Sequence, residues 1–402
     1  MGGKALIKPC SFTLKIICLC LLILVSDTTA SSNSTCPFQY VFHFGDGVTD
    51  IGNSIHVKPK LMRAIPAARP PYGRTYPGYP TGRWSDGRID FDFTAEDFGL
   101  PNIVAYLTMD RSRTASYDGV IFSVARSPVL DRNFFGKRNI SITSYAVPLR
   151  EQLSWFKNLL KSVCQTRWEC AQWIGNSLVL MGDIEGNDIG YALTQGKSIQ
   201  EVMFYVPFIV KTIMDTTREI IKLGARRVII PGNGPLGCYP YILTALQTND
   251  TTAYDELGCL KSVNDFTIFK NEYLELAIED LRNEFPEVQI LFGPMYDGMR
   301  SLIANASVIG NSALKSCCGV GGKYNYHPMR FCGTRGVPVC KNPNEYIFWD
   351  GVHYTQQTQW EAEDMLVRPA LEKLKCKPLP SAFLRPKRGK INSVLTTYVS
   401  SY

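Results

Sequence analysis

The chain has 402 residues, 45% of them hydrophobic and 20% charged, which is enough apolar material for a sizeable core and excludes disorder as its default state. The formal net charge is +7 with no basic stripe interleaved with aromatic residues, so nucleic acid is not an expected partner. Four histidines and the absence of paired C-x-x-C spacing make zinc the weaker alternative to disulfides for the cysteines, and nothing implies another metal or a cofactor.

Residues 1–30 read as a secretory signal peptide. Lys4, Lys8 and Lys15 precede the apolar run from Ile16 to Val25, and small and polar residues follow to Thr28-Thr29-Ala30. That run is too short to cross a bilayer as a mature helix, and no stable membrane span is expected elsewhere. Of the 13 cysteines, Cys10, Cys18 and Cys20 lie in the signal. The even remainder suggests disulfides formed on export: Cys238 with Cys259, and the adjacent Cys317 and Cys318 reaching Cys332 and Cys340. Sequons at Asn33, Asn139, Asn249 and Asn305 fit glycosylated surface loops. The chain ends Val-Ser-Ser-Tyr402 without a retention tetrapeptide, leaving the extracellular space (apoplast) or the vacuole as destinations.

A single domain over 31–380 is expected, followed by a basic tail, 381–402, that contains Arg385-Pro-Lys-Arg-Gly-Lys390 and reads as solvated. Tyr40 to Phe44 reads as the first strand, ending at Gly45-Asp46-Gly47. The Pro-, Gly- and Arg-rich stretch from Pro59 to Asp90 should be a long loop over the strand ends. Asn176 to Gly182 is a further strand, followed by a polar loop from Asp183 to Asp188. Phe204 to Leu223 has helical apolar spacing and leads into the strand Val228 to Pro231. Asn264 to Phe285 is a long amphipathic helix, Val288 to Phe292 a strand, and Gln356 to Leu374 a closing helix. Strands alternating with helices predict an α/β fold, a parallel sheet with helices on both faces. In such sheets ligands bind at the carboxyl ends of strands, which points to the loops beginning at Gly45, Asp183 and Trp349.

The residues in those loops carry a specific likeness. Phe44-Gly-Asp-Gly-Val-Thr-Asp-Ile-Gly-Asn53 resembles the first block of plant GDSL esterases, F-G-D-S-x-x-D-x-G-N. Pro71-Tyr-Gly and Pro80-Thr-Gly-Arg-Trp-Ser-Asp-Gly-Arg88 are similar to the segment that follows it. Gly119-Val-Ile-Phe-Ser-Val-Ala125 and Gly182-Asp-Ile-Glu-Gly-Asn-Asp188 resemble the second and third blocks. Pro231-Gly-Asn-Gly-Pro-Leu-Gly-Cys238 matches another family segment, and Trp349-Asp-Gly-Val-His353 the last. The chain is thus identified as resembling the GDSL esterase/lipase family (SGNH hydrolases) over roughly residues 37 to 376. The resemblance includes a plant clade with esterases of alkaloid and phenolic esters. It implies a three-layer α/β/α, flavodoxin-like sheet and a small-molecule substrate or ligand of ester, alkaloid or phenolic type. It also implies a Ser–His–Asp site in which imidazole activates the serine and a carboxylate orients the imidazole.

Carried over by position, the resemblance assigns the base to His353 and its carboxylate to Asp350. The oxyanion donors fall at the backbone of residue 47, the backbone of residue 126 and the side chain of Asn187. The nucleophile position is Gly47, the second-block glycine aligns with Arg126 and its asparagine with Ile121, and a third-block glycine is Glu185. Gly47 has no side chain to acylate. Arg126 would be strained in a left-handed conformation, and its guanidinium could bind a carboxylate or pair with Glu185. Thr49, Ser54, Ser85 and Ser127 are the nearby hydroxyls. Thr49, Ser54 and Ser85 read as loop, cap or turn residues, and Ser127 is a candidate relocated nucleophile. His43 reads as packed in its strand, and His56 and His327 as loop residues without a partner motif.

Three functions remain open at this point: an enzyme re-purposed around His353 without an acyl intermediate, a non-catalytic binding or accessory protein, and an ester hydrolase using water or a relocated hydroxyl.

Overall fold

The computed structural model describes residues 36–182, 186–308 and 312–379. The signal segment, Asn33, Glu185 and the basic tail lie outside the described residues. The central sheet has six parallel strands, β1 (Tyr40–Phe44), β2 (Ile103–Ala105), β3 (Gly119–Ile121), β4 (Ser177–Met181), β5 (Arg227–Pro231) and β6 (Gln289–Gly293), in the order β2-β3-β1-β4-β5-β6. The strands are almost continuously apolar, as expected where both faces are covered. Phe42, Phe44, Val179, Met181, Val228 and Ile230 face one layer with Leu153, Phe156, Ile209, Ile213, Leu274 and Ile278. Val41, Ile121, Leu178, Leu180 and Ile229 face the other with Phe91, Phe98, Leu371 and Leu374. This is the three-layer α/β/α arrangement.

The first layer is built by α1 (Leu149–Val163), α2 (Val206–Lys222) and α3 (Lys261–Glu284). Each carries its apolar residues on one stripe, which is what drives it onto the sheet. Thus α2 and α3 occupy the helices expected at Phe204–Leu223 and Asn264–Phe285, α2 slightly shorter and α3 beginning three residues earlier. The expected closing helix is not continuous. It runs Gln356–Ala362, opens into a π-helical turn over Glu363–Val367, and resumes at Arg368–Lys373. Just after that turn Arg368 is buried against Asp97 and Glu363, at 2.8 and 3.2 Å. A second, two-stranded parallel sheet, β7 (Ser312–Ser316) with β8 (Tyr346–Phe348), leads into the Trp349 loop. These short strands, together with β2 and β3, give no periodic signal in the sequence and were not anticipated.

Among the described residues there are five disulfides: Cys36–Cys376, Cys164–Cys170, Cys238–Cys259, Cys317–Cys340 and Cys318–Cys332. The expected pairings hold, and the adjacent cysteines take separate partners. Asn139 and Asn249 are exposed, whereas Asn305 sits within the helix Met295–Val308 with its amide nitrogen buried, so it does not occupy the surface loop expected of a sequon. Among the described residues no helix is long and apolar enough to cross a membrane.

Candidate active site

The strand order changes direction at β1, which has β3 on one side and β4 on the other, so a crevice opens beyond its carboxyl end. The loop leaving β1 is held by its own polar residues. Gln152 of α1 clamps Gly45, accepting from its N–H at 3.0 Å and donating to its carbonyl at 2.9 Å. Asp50 accepts from the N–H groups of Gly52, Ser54 and Ala125 at 2.8, 3.1 and 2.9 Å. Burial pushes this carboxyl up, and the donated hydrogen bonds offset only part of the rise. Asn53 donates to the carbonyls of Ile121 and Ser123 at 2.7 and 3.0 Å and accepts from Leu107 N–H at 3.0 Å. Asp50 and Asn53 therefore tie the end of β1 to the end of β3. Asp46 accepts from Val48 N–H at 3.0 Å, and the Asn187 side-chain amide donates to the same carboxylate. Asn187 thus lies beside this loop with its amide turned to Asp46.

Across the crevice, β8 delivers the loop Trp349–His353. The Asp350 carboxylate sits 2.9 and 3.0 Å from His353 Nδ1 and accepts from the backbone N–H groups of His353 and Val352 at 2.8 and 3.1 Å. The Tyr72 hydroxyl donates to it at 2.7 Å. Burial would raise the Asp350 carboxyl, but the adjacent His353 and these hydrogen bonds outweigh it and hold the group below its ordinary value. The same burial, with Asp350 alongside, pushes the Tyr72 phenol well above its ordinary value, so it remains a donor. With Nδ1–H directed to Asp350, the imidazole presents Nε2 as an acceptor.

Nε2 lies directly against Gly47. A Cβ built on Gly47 would overlap His353 Nε2 and stand 2.9 Å from Cδ2 of the same ring. The imidazole therefore fills the space that any side chain at residue 47 would enter. The indole of Trp84 lies over the imidazole, 5.0 Å between centroids, and is itself held by Nε1–H to Ser54 Oγ at 3.2 Å. A narrow cleft, partly open to solvent, is lined by Pro66, Tyr72, Trp84, Arg126, Tyr326, Phe331, Asp350, Val352 and His353.

Arg126 does adopt the left-handed conformation, with φ 62°. The Tyr191 hydroxyl donates to its carbonyl at 2.9 Å, and Arg126 shares the cleft wall with Tyr326. Burial works against the guanidinium charge, but Tyr145, Tyr191, Tyr326 and Asp350 together raise its affinity for the proton. The phenols count in that balance only where they ionise, so near neutral pH the relevant counter-charge is Asp350.

Of the residues read from sequence, His353, Asp350 and Arg126 line the cleft, Gly47 lies against His353, and Asn187 bonds to Asp46 beside Gly47. The remaining hydroxyls are engaged elsewhere. Ser127 Oγ is buried and accepts from Val147 N–H at 2.9 Å, and Thr49 donates to Ser123 at 2.8 Å. Ile121 is buried in the core. His43 is packed in β1 beside Phe91, and burial lowers its pKa to about 3. Tyr72 and Trp84 stood inside recognised blocks without a role assigned to them. Tyr326 and Phe331 come from the disulfide-bound loop before β8 and carried no sequence signal.

Comparison with known proteins agrees with this architecture. The GDSL-like lipase/acylhydrolase family model matches residues 41–362. The chain is 43% identical over 343 residues to acetylajmalan esterase 2 of Rauvolfia serpentina, covering 85% of this chain and 92% of that protein. It is 39% identical over 333 residues to sinapine esterase of Brassica napus, covering 81% and 85%. A GDSL esterase/lipase of Arabidopsis thaliana is 37% identical over 362 residues, covering 88% and 92%. With most of the chain matched and the α/β/α sheet in place, the protein belongs to the GDSL-like lipase/acylhydrolase family.

Proposed function

We propose that this protein is a GDSL-family member without the nucleophilic serine, and that it acts on a small plant metabolite through His353 as a general base oriented by Asp350. The observation that carries this reading is the intact Asp350–His353 pair with Nε2 set against a residue that has no side chain. The relatives are esterases by name, which supports an ester substrate of alkaloid or phenolic type. Nε2 takes a proton from water as its oxygen bonds to the ester carbonyl. The backbone N–H of Gly47 and the free N–H of Asn187 are suited to the resulting oxyanion. As the carbon–oxygen bond to the alcohol breaks, His353 returns the proton, giving alcohol and carboxylic acid. The same base serves an elimination or cyclisation that begins with proton removal. The five disulfides and the signal-like segment support export to the extracellular space, with the vacuole as the alternative destination.

Screening small alkaloid and phenolic esters with wild type and His353→Ala tests the reading. Loss of about a hundredfold or more in turnover is expected for the variant, with no acyl adduct on the wild type by intact mass. Equal turnover by the two proteins, or a covalent acyl adduct, overturns it. Gly47→Ser then asks whether only the nucleophile is missing, since the new side chain has to displace the imidazole.

A second reading, a binding protein on the esterase scaffold, is favoured by Asn187 being bonded to Asp46 and by a charged, strained residue at 126. Ligand-induced thermal shifts without any His353-dependent turnover would select it. The relocated-hydroxyl reading loses support from the engagement of Ser127 and Thr49. Labelling of either residue by a fluorophosphonate probe would restore it.

A further inference from the structure

Residue 126 concentrates several costs in one place. A non-glycine residue held at φ 62° is strained, and such strain persists only where the surroundings fix it. Here Tyr191 holds the carbonyl, and the conformation turns a guanidinium into the wall of the cleft. A guanidinium has five N–H donors in a planar fork. Tyr326 lies beside it, and among the described residues no carboxylate lies within ion-pairing distance of Arg126. Asp350, which shares the cleft, already accepts from His353, Val352 and Tyr72. Among the described residues this half-buried cation is therefore left with unfilled donors, facing a slot whose walls beside Asp350 and His353 are mainly flat and apolar, including Trp84, Tyr326 and Phe331.

We propose that Arg126 forms a carboxylate-binding subsite and that the ligand class of this cleft is a flat, conjugated monocarboxylate. The carboxylate takes the guanidinium fork and the ring lies among the aromatic walls, with the group to be deprotonated near His353. This inference rests on the cleft described above as the working site and names its ligand. A guanidinium suits the role because its paired N–H groups match a carboxylate edge to edge, which an ammonium cannot do.

The test is binding rather than turnover. Benzoate and its neutral isostere benzamide are titrated against wild type, Arg126→Gly, Arg126→Lys and His353→Ala, by ligand-observed NMR and by tryptophan fluorescence. Arg126→Gly relieves the left-handed backbone, so it should fold at least as well as wild type, and a thermal melt checks this. Wild type should bind benzoate at least tenfold tighter than benzamide. Arg126→Gly should lose that discrimination, Arg126→Lys should retain only part of it, and His353→Ala should keep it. Equal binding of the two ligands, no saturable benzoate binding to wild type, or undiminished discrimination in Arg126→Gly overturns the subsite. Arg126-dependent benzoate binding without His353-dependent turnover would leave the subsite standing and remove the catalytic reading. The converse result would remove the subsite alone.

Discussion

The two loops that face each other across the cleft differ in what their polar residues do. After β1, Asp50 and Asn53 spend their hydrogen bonds on backbone groups of their own loop and of the neighbouring strand end. In the loop after β8, the polar groups converge on one carboxylate that aligns one imidazole. The first loop is frame and the second is machinery. Residue 47 is the one position of the first loop placed against the machinery, and it has no side chain. A sequence block can thus be preserved in nearly all its letters for reasons of folding while the letter that bears on chemistry differs.

Removing a frame residue should therefore cost more stability than any change at the machinery. Asp50→Ala leaves the N–H groups of Gly52, Ser54 and Ala125 without their acceptor. At about 1–3 kcal/mol for each buried group left unpaired, a loss of at least about 3 kcal/mol is expected in urea unfolding. A loss below about 1 kcal/mol would break the distinction between the loops.

Gly47→Ala probes the contact between them. The added methyl meets His353 Nε2, so the imidazole has to swing off its line to Asp350 or the loop has to shift, at about 1–3 kcal/mol. Any His353-dependent turnover should fall with it, and unchanged turnover would show that the ring does not need this placement.

A smaller effect separates regions away from the cleft. His43 is neutral in the fold with a pKa near 3, against 6.5 when exposed, so its contribution to stability is complete above pH 6.5 and is lost as pH falls toward 3. Glu363 behaves in the opposite sense. Burial raises it to about 7 from 4.5, so the fold keeps a proton that the unfolded chain releases, and stability is lost as pH rises from 4.5 to 7. Between pH 4.5 and 6.5 the two slopes oppose, each at most about 1.4 kcal/mol per unit. Glu363→Gln removes one of them, so the variant should gain on wild type as pH rises through that window, read as the difference in urea midpoints. A constant difference would argue against the buried acid.

The smallest effect is expected for Ser127→Ala. It gives up one neutral hydrogen bond to Val147, about 1 kcal/mol, and should leave activity unchanged.

The sheet and its main helices were legible because long apolar runs and amphipathic stripes write them directly into the chain. Tyr40–Phe44 and the helices α2 and α3 fall where the pattern places them, within a few residues. The two-stranded β7–β8 sheet and the break at Glu363 were not legible. The former is set by pairing distant in sequence, and the latter accompanies a buried arginine whose partner Asp97 lies in another helix. At the site, the likeness of Trp349-Asp-Gly-Val-His353 to the family's last block indicated that Asp350 and His353 belong together. Spacing said nothing of how close Nε2 comes to residue 47, nor that Tyr326 and Phe331 close the cleft, because those depend on where a disulfide-bound loop folds back.

The Cys36–Cys376 bridge joins residues 340 apart in sequence. Covalently, nearly the whole described chain is a ring. A protease that nicks one exposed loop, such as the one around Asn249, does not produce two pieces, because this bridge and Cys238–Cys259 both span the cut. A clipped sample should run as a single species until a reducing agent is added and fall apart into fragments only afterwards, so intactness judged without reduction would overstate how much of the backbone survives.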